Sequence, residues 1–342
     1  MSGSSHGNQR NYSQDEHDRG RSLGPAYDQQ RSLGGGDPKG LTTGITAIDK
    51  YLKLIPPAPD FCWSNCTGRK KAVCIGINYI GQRDELKGCV NDARHVRNYL
   101  MQYHGFKKSD ILLLTDDGRG IEPTRKNMLD AMHWLVRKAK MHDSLVFHYS
   151  GHGGQKPDDT GKEADGMDEG VFPIIFPVDY KRAGDIIDDE LYIQLVQPLA
   201  AGCRLTAVFD SCHSGTVLDL PYLHSAHGRL RGLKHISKRC QHRNAPHADV
   251  ISLSACKDDE TSADTFHGGV AVGAMSYYIL IIRFGELEEN PKQTYDDLLA
   301  HLRHILVPKY NQKAQLGGSH PLVCRLSHFL LVSDDVHNKN RT

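Results

Sequence analysis

Between residues 70 and 332, short apolar runs alternate with stretches whose apolar residues recur every three or four positions. The run Ala72-Val-Cys-Ile-Gly-Ile-Asn-Tyr79, entered from a basic edge at Gly68-Arg-Lys-Lys, reads as a strand buried on both faces. Residues 90–104 set Val90, Ala93, Val96, Leu100 and Tyr103 on one helical face. The same reading gives strands at 111–114, 144–148, 171–176, 204–209 and 250–254. It gives helices at 124–141, 189–199, 270–284 and 294–307, with closing strands at 322–326 and 329–332. Alternation of this kind predicts an α/β fold whose central sheet is mostly parallel and covered by helices on both faces. Ligands of such sheets sit beyond the carboxyl ends of the strands.

Two segments fall outside that pattern. Residues 1–67 begin with Gly, Ser, Gln, Asn, Arg and Asp and almost no branched aliphatics, which predicts a polar, disordered N-terminal segment. Residues 224–247 carry six Lys or Arg and five His with few apolar residues, the composition of a solvated, protease-sensitive basic linker. The expected organisation is therefore a first part of one domain at 68–223, that linker, and a second part at 248–342.

The formal net charge of +1 argues against a nucleic-acid partner bound through overall charge. No apolar run approaches the roughly 18 residues that span a bilayer, and the N-terminus has no apolar secretory core, so no membrane partner is expected. Nine cysteines without a framework spacing fit a reducing compartment, cytoplasmic or nuclear. Cys62-x-x-x-Cys66 and twenty histidines offer zinc ligands, but no paired Cys/His spacing of a zinc site accompanies them.

The chemistry concentrates in two turns. The strand at 144–148 runs into His148-Tyr-Ser-Gly-His-Gly-Gly154, and the strand at 204–209 into Asp210-Ser-Cys-His-Ser-Gly215. An isolated cysteine is usually a small buried hydrophobe. Cys212, however, stands among Asp210, Ser211, His213 and Ser214, none of which suits a core. A cysteine with a base at hand is the best nucleophile among the side chains. His152 lies past its strand end and before two glycines; His148 sits in the strand body, and His213 adjoins Cys212 in sequence, where side chains diverge. His152 is thus the expected base, with the Gly153 amide as an oxyanion donor beside that of Cys212.

Together the two turns resemble the paired signatures of the type I metacaspases, caspase-like cysteine peptidases, and the likeness runs from about Lys70 to Val332. The resemblance implies a caspase-like sheet, a monomer, protein or peptide substrates cut after Arg or Lys, a single-chain zymogen and self-cleavage within the basic linker. By resemblance Asp92 and Asp210 line the S1 pocket, with Cys89 and Ser150 on its walls. An acid beside the nucleophile also suits a cationic side chain on physical grounds, although Asp92 equally suits a helix N-terminus. Calcium is the implied activator, bound by Asp168, Asp188, Asp189 and Asp219, with Asp165 the substitute for Asp168. Converging oxygens are what such a hard cation needs. The rival reading keeps the fold without proteolysis, as a scaffold in protein quality control.

Overall fold

The computed structural model describes residues 60–157, 171–211, 217–224, 246–256, 264–267, 270–273, 276, 295–310 and 312–320. Among them, seven strands form one sheet, in the order β2-β1-β3-β7-β9-β12-β8. These are β1 (Lys70–Gly76), β2 (Ile111–Thr115), β3 (Ser144–Ser150), β7 (Arg204–Asp210), β8 (Tyr222–His224), β9 (Asp249–Cys256) and β12 (Lys313–Gly318). The five strands from β2 to β9 are parallel; β12 and β8 are antiparallel to their neighbours.

Strand alternation splits the core in two. Ala72, Cys74 and Val146 face helices α1 (Cys89–Tyr103) and α5 (Tyr295–Tyr310), where Leu100, Leu298 and Leu302 cover them. Val73, Ile75, Leu145 and Phe147 face α2 (Arg125–Val136) and α4 (Asp188–Leu195), meeting Met132, Leu135 and Leu191. The expected sheet with helices on both faces is therefore present, and strands apolar on both parities are its cause. No described helix is long and apolar enough to cross a membrane.

Several elements differ from the sequence expectation. Helix α2 stops at Val136 rather than 141, because Lys138 and His142 take left-handed φ angles of 59° and 68°. The Lys71 ammonium also closes that helix end, donating to the Trp134 and Leu135 carbonyls. The expected helix at 270–284 begins as a strand: β10 (Asp264–His267) and β11 (Val270–Gly273) pair antiparallel, with Gly268-Gly269 between them in the sequence. Two glycines between short runs are a hairpin signal that outweighs the helical spacing. The run at 171–176 is a strand, β5 (Val171–Ile175), but it lies in a separate antiparallel sheet. Its partners are β4 (Gly153–Pro157) and β6 (Ile186–Ile187), with the short α3 (Tyr180–Ala183) before β6. Strand β12 is an addition to the expected set, since Lys-Ala-Gln-Leu-Gly-Gly has little apolar pattern. The strands expected at 322–332 and the linker at 225–245 lie outside the described residues.

Packing also extends N-terminal to Gly68. Cys66 is fully buried, Ser64 N donates to Asp249 Oδ2 at 3.3 Å, and the Phe61 and Trp63 rings lie 4.7 and 4.1 Å from the His320 ring. Beneath them is a buried ionic group: Arg204 Nε donates to Asp249 Oδ2 at 2.7 Å, and His320 Nε2 lies 2.8 Å from Oδ1. Burial alone would raise the Asp249 pKa, but Arg204 and His320 hold it low.

Candidate active site

The two polar turns follow the carboxyl ends of adjacent parallel strands, β3 and β7. Ser150 of β3 is in register with Asp210 of β7 and with Gly76 of β1. His152 and Cys212 each follow their aligned residue by two positions. Cys212 and Asp168 lie outside the described residues.

His152 is half-buried and held by backbone contacts on several sides. Its Nε2 lies 2.7 Å from the Asp84 carbonyl oxygen, which can only accept, so Nε2 carries a proton and Nδ1 is the basic nitrogen of the neutral ring. Its N–H donates to the Tyr79 hydroxyl at 3.0 Å, and its carbonyl accepts from the Tyr149 hydroxyl at 2.7 Å. The Tyr79 ring stacks on the imidazole, centroids 4.6 Å apart, while its hydroxyl donates to Phe176 O at 2.7 Å. Burial pushes the pKa of both tyrosines up, so they stay protonated donors. The glycine before His152 is explained here: a Cβ on Gly151 would stand 2.7 Å from the Tyr149 hydroxyl and 3.1 Å from that of Tyr79.

Phe176 N donates to His152 O at 3.3 Å, one step beyond the β4–β5 ladder, whose end pair is Gly153 with Ile175. Alternation along that ladder turns the Gly153 N–H away from β5. It is therefore placed to serve a group outside the ladder.

The even-numbered residues of β3 point the other way, toward α1. Ser150 Oγ donates to Asp92 Oδ2 at 2.7 Å, and both residues are buried. Asp210, 4% exposed, shares that face, and its Oδ2 accepts from Ser276 N at 2.7 Å. Cys89 opens α1, whose close approach to β1 requires Gly76: a Cβ there would lie 2.1 Å from the Cys89 carbonyl oxygen. Asp92, Ser150, Asp210 and Cys89 thus gather at one strand-end region.

The sequence matches the family described as metacaspase, peptidase C14 domain, over residues 70–221, a span holding both turns. It is 46% identical over 306 residues to Metacaspase-1 of Cryptococcus neoformans var. neoformans serotype D, covering 77% of this chain and 65% of that protein. Metacaspase-1 of Pyricularia oryzae is 45% identical over 303 residues, covering 77% of this chain and 74% of that protein. The chain belongs to the metacaspases. It spans about two thirds of the length of the Cryptococcus relative. A crystal structure of a protein from Geobacter sulfurreducens shares the fold, with a TM-score of 0.54 at 24% identity, over 78% of this chain and 99% of that one.

The acids that the resemblance assigns to calcium are partly in view. Asp188, 4% exposed, starts α4, and its Oδ1 accepts from Asp189 N at 2.8 Å. Asp219, 6% exposed, has a left-handed φ of 46°, a conformation aspartate tolerates better than most residues. Among the described residues no three His, Cys, Asp or Glu side chains converge on one point, so Asp188, Asp189 and Asp219 do not complete an ion site by themselves. As carboxylates, two of them buried, they fit the donor chemistry of a hard cation.

Three contributors escape a reading of the sequence. Tyr79, the Asp84 carbonyl and Ser276 act through tertiary contact, and no spacing announces them. Only Tyr149, inside His148-Tyr-Ser-Gly-His, stands in plain sight. His148 itself is fully buried in the sheet, as expected for a strand-body histidine, and its Nε2 lies 3.0 Å from Ser276 Oγ.

Proposed function

We propose that this chain is a calcium-dependent cysteine endopeptidase that cleaves peptide bonds after Arg or Lys and processes itself within the basic linker. The carrying observation is the register of Ser150 with Asp210, which sets buried Asp92 and Asp210 beside the strand ends leading to His152 and Cys212. In this reading Nδ1 of His152 takes the Cys212 thiol proton, and the thiolate attacks the scissile carbonyl. Oxyanion charge is met by the Gly153 and Cys212 amides, and the protonated imidazole then delivers its proton to the leaving amine. Asp92 and Asp210 pair the cationic P1 side chain, and Cys89 and Ser150 wall it. Asp188, Asp189 and Asp219, with Asp168 or Asp165, would hold the calcium ion, which supplies charge neutralisation that lets acids stand together. Protein substrates and a monomeric state in the cytoplasm or nucleus complete the proposal.

The test is turnover of matched peptides carrying Arg, Lys or Asp at P1, with and without calcium. Arg and Lys peptides should be cut only with calcium, and Asp rejected more than a hundredfold, because a charge left unpaired in such a pocket costs about 3–5 kcal/mol. Cys212→Ala should remove all turnover, and Asp188→Ala with Asp189→Ala the calcium response. Efficient cleavage after Asp, or turnover by the Cys212→Ala chain, would overturn the reading.

A further inference from the structure

We propose that Ser276, held by His148, is the positioning residue that aims the Asp210 carboxylate at a cationic P1 side chain, so the pocket is completed from beyond the basic linker. This rests on the assignment of Asp92 and Asp210 as the pocket acids.

A carboxylate at a strand end can turn about two torsions, and a cationic ligand is recognised best when its oxygens are fixed beforehand. Ser276 N donates to Asp210 Oδ2 at 2.7 Å, the length of a charge-assisted bond. The same serine is anchored through its side chain, with Oγ 3.0 Å from His148 Nε2. Both residues are buried, at 1% and 0% exposure, so water does not replace these contacts.

The direction of the second bond follows from the imidazole. Burial keeps His148 neutral, its pKa pushed down to about 3. Its Nδ1 has no partner among the described residues. A buried bare acceptor is tolerated better than a buried bare N–H, so the proton sits on Nε2 and is donated to Ser276 Oγ. His148, Ser276 and Asp210 then form one link across the ends of β3 and β7.

Strand β3 treats the two acids in parallel. Ser150 holds Asp92 directly, and His148, two residues earlier on the same face, holds Asp210 through Ser276. The β10–β11 hairpin, which leads to Ser276, packs against α1, the helix carrying Cys89 and Asp92. Ser276 belongs to the part of the chain that follows the linker, whereas every other group of the pocket precedes it. Docking of that later segment and orientation of Asp210 are therefore one event.

The test uses the full chain with Cys212→Ala, in calcium, and calorimetry of two peptides differing only at P1, Arg in one and uncharged citrulline in the other. The parent should prefer the Arg peptide. Adding Ser276→Ala, which keeps the N–H but removes the neutral hydrogen bond that ties it to His148, should weaken the Arg peptide about threefold to tenfold, the worth of one such bond, and leave the citrulline peptide unchanged. Ser276→Thr, which retains the hydroxyl, should restore the preference. If Ser276→Ala lowers the melting temperature, the pair His148→Phe with Ser276→Ala, which leaves no buried polar group bare, should show the same selective loss. Equal weakening of both peptides, or of neither, in a folded variant overturns the proposal. A parent that binds both peptides equally overturns it differently, by removing the acidic pocket itself.

Discussion

Acid should destabilise this protein through His148 in particular. Its ring is fully buried between Cys74 and Val208 of the neighbouring strands, and burial holds its pKa near 3. In the unfolded chain the same histidine titrates at about 6.5. Above that pH neither state is protonated, and His148 adds nothing to the pH dependence. Below it the unfolded chain binds a proton that the folded chain refuses. Stability then falls by about 1.4 kcal/mol per pH unit until the folded group also protonates, near pH 3. At pH 5, about 1.5 units below the unfolded value, the loss is about 2 kcal/mol. The perturbation is His148→Gln, a side chain that can donate to Ser276 Oγ but does not titrate. Urea unfolding of the full chain at pH 7 and pH 5, in a Cys212→Ala background to prevent self-cleavage, gives both stabilities. The remaining nineteen histidines are common to both proteins and cancel. The wild-type chain should lose about 2 kcal/mol more than the variant between the two pH values. Parallel pH curves would refute the buried neutral histidine.

Three further outcomes follow from close contacts. Gly76→Ala would force a Cβ against the Cys89 carbonyl, so it should cost about 1–3 kcal/mol in thermal unfolding and reduce turnover of Arg peptides as α1 carries Asp92 away. Tyr79→Phe should keep the ring stack on His152 but remove both the acceptor of the His152 N–H and the donor to Phe176 O. Stability should fall by about 1–3 kcal/mol, and kcat should fall more than KM rises. Asp249→Asn should leave the buried Arg204 charge uncompensated and destabilise by about 3–5 kcal/mol in denaturant titration; a smaller loss from Arg204→Met with Asp249→Leu would identify bare charge as the cause.

What can be read along the chain follows its periodicity. The central strands are apolar on both parities, so their existence, and the polar turns at their ends, are legible in the order of residues alone. The adjacency of the strand ends that lead to His152 and Cys212 is legible too, because parallel neighbours bring equivalent strand ends together. Strand β12 is hidden because Lys313-Ala-Gln-Leu-Gly-Gly318 alternates over only four residues, with Ala314 and Leu316 its two apolar positions, before two glycines break the pattern. The β10–β11 hairpin hides behind apolar residues that also suit a helix. Tyr79 and Ser276 are hidden for another reason: each acts on a residue more than sixty positions away, and local spacing does not record such contacts.

Those two residues also show why β3 needs the sequence His-Tyr-Ser at its end. A strand presents successive side chains to opposite faces. Tyr149 points toward the face of α2 and α4, where its hydroxyl joins that of Tyr79 in fixing the backbone of the candidate base. His148 and Ser150 point toward α1, where they hold the two acids of the candidate pocket. Base and acids are thereby positioned from opposite sides of one strand, each through hydrogen bonds that the other face cannot reach. A slip of β3 by one residue would exchange the faces, burying the tyrosine hydroxyl against Asp92 and turning Ser150 toward Phe176. The paired register with β1 and β7, seven residues long on both sides, is what prevents it.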